Sequence, residues 1–181
     1  MVYILLGEGF EESEAIIPAD LLRRAGVEVA LVGLDGPMVT GGHGITVQAD
    51  LTLEQVNDEA MEMLVLPGGL GGVASIRMNL FATALIQKAY DQGCWMGAIC
   101  AAPTILAAMG MLDRRPVACY PGMLAEMGSA AVLGDAQVVV DGRFVTAQAA
   151  GSAFLFGLKL VEVLRGTEVS DEVRNAVVYR G

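Results

Sequence analysis

The residues with the clearest capacity for chemistry lie in Ala98-Ile99-Cys100-Ala101-Ala102, where a cysteine has an alanine two places away on either side. The stretch before it, 94–99, reads as a strand. The stretch after it reads as a helix from about Ala101 to Met109, with Pro103 in the first turn, where a missing N–H costs nothing. A nucleophile on a strand-to-helix elbow needs small flanking residues, because larger side chains collide in so sharp a turn. Such an elbow would hold Cys100 at a helix N-terminus, where the dipole and free amides favour thiolate. Thiols so placed fall from about 8.5 to roughly 3.5–7.5. The same residues also suit a small cysteine packed in a core, and the motif alone leaves both readings open.

Glu14 is the second candidate. Glu14, Ile17, Leu21 and Ala25 fall at i, i+3, i+7 and i+11, one stripe of a helix that faces inward. An acid on that face loses hydration, which raises its pKa and favours the neutral form. A protonated carboxyl can donate to a sulfur anion or act as a general acid. The alternative is that Glu14 caps the helix start, the role expected of Glu11 and Glu12. A third stretch, Leu66-Pro67-Gly68-Gly69-Leu70-Gly71-Gly72, has the look of a turn whose backbone amides cradle an oxyanion.

The elements that must position these residues alternate between strand and helix. Strands are predicted at 2–7, 27–34, 62–69 and 94–99, each continuous and apolar, with a short one in "PVACY". Helices are predicted from Glu12 to Ala25, over 79–93, from Ala150 to Leu164 and in the tail. A hairpin is expected around Gly41-Gly42, and two strands joined at Asp141-Gly142. This alternation predicts an α/β fold, a mostly parallel sheet wrapped on both faces, with residues 1–181 as a single domain. Ligands bind such sheets at the carboxyl ends of the strands. Glu14, Gly69 and Cys100 all fall just beyond such ends.

Composition narrows the function. The run from Gln92 to Leu112 carries no charge, yet Gly97, Pro103 and Gly110 interrupt it, which argues against a membrane helix. Eleven basic against 21 acidic residues give a formal charge of −10, which disfavours nucleic acid and anionic membranes as partners. The opening "MVYILLGEGFEE" lacks a basic leader and is not expected to be a signal peptide. Cys94, Cys100 and Cys119 form no CxxC, so no disulfide framework is expected and a reducing, cytoplasmic location is. With His43 the only histidine, in a loop, no metal is expected. Cys94 and Cys119 are expected to be structural.

"GFEESEAIIPADLLRRAG", "LVLPGGLGG", "GAICAAPTILAAMGML" and "DGRFVTAQAAGSAFLFGLKLVEVLRG" together resemble the ThiJ/PfpI superfamily, also called class I glutamine amidotransferase-like. The similarity is to the branch of the Parkinson-disease-associated protein deglycase and its bacterial relatives. It implies a flavodoxin-like sandwich, a homodimer, and a cofactor-free site. That site has a reactive cysteine at Cys100, a buried protonated glutamate at Glu14, and facing amides at Gly69 and Ala101. The pattern departs from the family at several places. Ala101 follows the cysteine where amidotransferase and protease members have histidine, and the branch's own histidine, aligned near Ala130, is missing. Gly44 and Gln148 stand where the branch has anion-binding arginines.

The reaction expected is glyoxalase- or deglycase-like, on methylglyoxal, glyoxal or their adducts, with Cys100 adding to the aldehyde and Glu14 moving protons. The alternative is an oxidation-sensing holdase whose Cys100 becomes a sulfinate. A thiol amidase or protease is the third reading, and it would need His43 from a partner chain near Cys100. Arg24 is a further residue placed toward a partner's site.

Overall fold

The computed structural model describes residues 1–181. Its centre is a seven-stranded sheet in the order β10-β11-β7-β6-β1-β2-β5. The strands are β1 (Val2–Leu6), β2 (Val29–Gly33), β5 (Leu51–Thr52), β6 (Met63–Leu66), β7 (Trp95–Ile99), β10 (Val138–Asp141) and β11 (Phe144–Ala147). All pairings are parallel except that of β10 with β11. A hairpin of β3 (Met38–Thr40) and β4 (Thr46–Gln48) stands beside it, with a small pair, β8 (Pro116–Val117) and β9 (Ala131–Val132).

The continuous apolar strands reflect burial on both faces. Tyr3, Leu5, Leu64, Leu66, Met96 and Ala98 point to one side, where α2 (Leu70–Met78), α3 (Leu80–Asp91) and α4 (Pro103–Ala108) cover them. Val2, Ile4, Leu6, Met63, Val65 and Ile99 point to the other, under α1 (Glu12–Arg24) and α5 (Ala153–Arg165). The two-residue alternation of side chains divides each strand between two cores. Gly157 lets α5 approach α1 closely, since a Cβ there would lie 2.7 Å from Leu21 Cδ1. A last helix, α6 (Thr167–Ala176), packs on that pair through Val173. The arrangement is the α/β sandwich the strand–helix alternation predicts.

Two elements differ from the sequence reading. Leu70, Gly71 and Gly72, read from sequence as part of a glycine turn, instead open α2. Those glycines pack against the loop after β1: a Cβ on Gly72 would lie 2.7 Å from Phe10 Cα. Close tertiary contact here outweighs low helix propensity. The helix after Cys100 spans only Pro103–Ala108.

Candidate active site

β1, β6 and β7 end side by side, and the segments leaving them converge. Cys100 is the turn residue after β7. Its φ of +64° lies in the left-handed region, which a non-glycine residue occupies only when its surroundings enforce it. They do so from both sides. The Cys100 N–H donates to the Ala147 carbonyl at the end of β11 (3.0 Å), and its carbonyl accepts from the Tyr120 N–H (2.8 Å). Ala98 and Ala102 are fully buried, so the elbow leaves no room for larger flanking side chains. The Thr104 hydroxyl donates to the Ala101 carbonyl at 2.6 Å and accepts from Arg77 at 2.6 Å, which steadies the turn from below.

Glu14 comes from the first turn of α1 and is wholly buried. Its Oε2 accepts from the Gly68 N–H at 2.8 Å, while Oε1 is buried with no hydrogen-bond partner. Gly68 fills the gap between Glu14 and Cys100. Gly69 has φ +84°, and a Cβ there would lie 2.5 Å from the Gly9 carbonyl oxygen, so the position admits only glycine.

The electrostatics follow from burial. Loss of hydration raises Glu14 to about 7, against the lowering effect of the Gly68 amide and the Cys100 thiol. Burial also pushes the Cys100 thiol up, to about 12, and the charge and hydrogen bonding of Glu14 add to this. The amides of Ala101 and Gly69 oppose it. The elbow therefore does not by itself lower the thiol, contrary to what its place before a helix predicts. A helix of six residues is a weak dipole, and a buried acid is a strong competitor for charge. Sulfur and carboxyl titrate as a pair, the first proton leaving near 7 and the second near 12.

The sulfur opens onto a cavity of about 240 Å³ lined by Glu11, Gly69, Leu70, Ala101, Tyr120 and Met123. Glu11 and Tyr120 are additions to the residues that sequence singles out. Tyr120 follows a strand too short to advertise its end, and Glu11 stands where a helix cap is expected. Ala130, the position expected to align with the family's histidine, is not in the lining; Tyr120 and Met123, upstream of it, are. Cys94 and Cys119 are both buried, and the Cys94 thiol donates to the Met61 carbonyl at 3.2 Å.

Glu12 also departs from its expected capping role. It is buried, and Oε1 accepts from the amides of His43 (2.8 Å) and Ile45 (3.3 Å). Oε2 lies 3.0 Å from His43 Nδ1. Burial alone would raise this carboxyl, but the His43 ring and the amides outweigh it and hold Glu12 at about 2. The loop between β3 and β4 is thereby clasped onto the start of α1. Glu11, Glu12 and His43 have ligand atoms within 4.8 Å of one another. Both Glu12 oxygens are engaged in the clasp, and nothing further in the cluster points to a cation. Arg24 is exposed and pairs with Asp20 at 2.7 Å.

The DJ-1/PfpI family pattern matches residues 1–163 of this sequence. The chain belongs to that family. It is 36% identical over 177 residues to protein dj-1beta of Drosophila melanogaster, covering 97% of this chain and 95% of the fly protein. It is also 36% identical over 165 residues to a deglycase of Pyrococcus abyssi, covering 91% of this chain and 99% of that one. The crystal structure of Drosophila melanogaster DJ-1beta superposes with a TM-score of 0.95 at 35% identity, over 99% of this chain and 98% of that chain. DJ-1/PfpI membership agrees with the α/β sandwich. No helix of this family member is long and apolar enough to cross a membrane.

Proposed function

We propose that this DJ-1/PfpI protein is a cofactor-independent isomerase of 2-oxoaldehydes, of glyoxalase or deglycase type. The observation that carries the reading is the orphaned Oε1 of Glu14, on a buried carboxyl that faces Cys100 across Gly68. An ionised carboxylate would leave a buried oxygen without a donor, whereas a proton on Oε1 removes that cost. The sulfur, by contrast, has the Gly69 and Ala101 amides. Once the pair has lost one proton, the charge rests on sulfur and the remaining proton on Glu14.

The chemistry then runs without a cofactor. The sulfur anion attacks the aldehyde carbon, an S–C bond forms, and the carbonyl oxygen takes the Glu14 proton to give a hemithioacetal. Glu14, now ionised, removes the hydrogen on that carbon as a proton, and the electron pair moves onto the neighbouring ketone oxygen to give an enediolate. It returns this proton to the ketone carbon while the hydroxyl proton passes from the former aldehyde oxygen to the former ketone oxygen, leaving a thioester of a 2-hydroxy acid. Water cleaves the thioester and restores the pair, so the sum is oxoaldehyde plus water to 2-hydroxy acid. Purified protein with methylglyoxal and no glutathione should form lactate. Equal rates for wild type and Cys100→Ser would end this reading.

A second reading draws on exposure. Cys100 is half-buried while Cys94 and Cys119 are buried, so peroxide meets one sulfur first. Hydrogen peroxide would oxidise that thiolate to sulfenate and then sulfinate, each step releasing water. Intact mass after near-stoichiometric peroxide should place the added oxygen on Cys100.

Exposed Ile16, Ile45 and Met38, on α1 and the clasped hairpin, support assembly as a homodimer. Sedimentation velocity of wild type and Ile45→Arg checks this.

A further inference from the structure

We infer that the Cys100 site takes 2-oxoaldehydes carrying an extended, uncharged apolar substituent, seated in a trough that leaves the sulfur along α2. This rests on the isomerase reading and specifies its substrate class.

The Cys100 cavity has a neighbour of the same size, about 240 Å³, and the two share Leu70, Ala101 and Met123 as walls. The two cavities adjoin across these three residues. On the far side the lining is Val73, Ala74, Met78 and Thr104, so the surface offered to a ligand is mainly hydrocarbon. Its rim is costly to leave bare. Leu70 is 70% exposed and Met78 83% exposed. Methionine and leucine in such places suit a flexible chain better than a rigid polar group.

The far end decides the charge of the substituent. Arg77 is the one cation there, and its Nη2 is already committed to Thr104 Oγ1 (2.6 Å) and to Glu126 Oε2 (3.1 Å). A carboxylate or phosphate arriving there would meet a guanidinium whose charge Glu126 already pairs. An alkyl chain needs only to cover carbon. The covalent anchor fixes the reacting carbon at Cys100, and its substituent can run past Leu70, Ala101 and Met123 into the adjoining cavity.

Each methylene removed from water favours binding about fourfold when fully covered, and about twofold in a half-open trough. 2-Oxooctanal carries five more methylenes than methylglyoxal, so its kcat/KM should be at least about tenfold higher, chiefly through a lower KM. Ala74 is exposed on α2 and lies outside the Cys100 cavity. Ala74→Trp fills the trough and should cut the 2-oxooctanal to methylglyoxal ratio at least about fivefold; Met78→Glu should cut it in the same direction.

The experiment measures 2-hydroxy acid formation from both aldehydes by the wild-type protein and by these two variants. Turnover of methylglyoxal with no preference for 2-oxooctanal overturns the inference and leaves the isomerase reading standing. So does a preference that neither variant reduces. Failure to turn over either aldehyde refutes the isomerase reading itself, and the trough assignment goes with it. The wild-type ratio is decisive even if a variant fails to fold.

Discussion

Glu14 and Cys100 are held together across a space that only a hydrogen atom can occupy. A Cβ at position 68, between them, would lie 2.5 Å from Glu14 Oε2 and 2.7 Å from Cys100 Cβ. Gly68→Ala therefore has to push sulfur and carboxyl apart. We expect a loss of about 1–3 kcal/mol in stability, as for other overpacked interiors, and at least about a hundredfold loss in oxoaldehyde turnover. Urea denaturation and lactate assays on the variant check both. A variant with wild-type turnover would show that the contact is not needed for the chemistry.

The pair also fixes a pH dependence. Both groups are raised above their unfolded values, so the folded state holds protons more tightly than the unfolded chain. Stability from this source is complete below about 4.5 and declines as pH rises through about 7. A shift of this size corresponds to about 3 kcal/mol between pH 4.5 and pH 8. Glu14→Gln removes this decline, so denaturation midpoints of the two proteins should diverge with pH. Parallel curves would mean that Glu14 titrates normally in the fold.

The position of the charge has its own test, one of sign. If sulfur carries it, Glu14→Leu deletes a proton donor, and iodoacetamide labelling of Cys100 should shift to a higher midpoint pH. If the carboxylate carried it, the same substitution would delete a repelling charge and the midpoint would fall. Burial and an ionised Glu14 push the Cys100 thiol up to about 12, so a wild-type labelling midpoint that high would place the charge on the carboxylate.

Glu12 behaves oppositely to Glu14. Its carboxyl is held down to about 2, so the clasp on the 41–45 loop contributes above pH 4.5 and is lost as pH falls toward 2. His43, raised by the same partner, contributes while protonated, and its share fades as pH rises above its own shifted value. Glu12→Gln should cost roughly 1–2 kcal/mol at pH 6, since water screens the exposed His43 ring, and almost nothing at pH 2. It should also speed amide exchange at Gly42, His43 and Ile45. Unchanged exchange would show that the loop holds without the carboxylate.

The parts of this molecule that are readable from sequence are those where local pattern and tertiary role agree. Val2–Leu6, Met63–Leu66 and Trp95–Ile99 are apolar throughout because both faces are covered, whereas a strand with one wet face alternates apolar with polar. Cys100 and Glu14 stand out because each breaks a local pattern, one by small neighbours, the other by acid on an inward stripe. α2 is illegible because Gly71 and Gly72 serve contact with the β1–α1 loop, and glycine in a window otherwise signals a turn. Glu12 is illegible for a different reason. Its partners lie 31 and 33 residues away, and no local spacing encodes a loop returning to a helix start. Tyr120 gives no signal because its side chain reaches the cavity from a 3₁₀ turn.

Of the two hydrogen bonds that grip the Cys100 backbone, one ties the elbow to the end of β11 in the sheet and the other to the Tyr120 amide. The trough beyond it is built from side chains on a helix surface and a single short turn. Ala74 and Met78 lie outside the Cys100 cavity, so the far end of the trough can be redrawn there while the walls around the sulfur stay as they are.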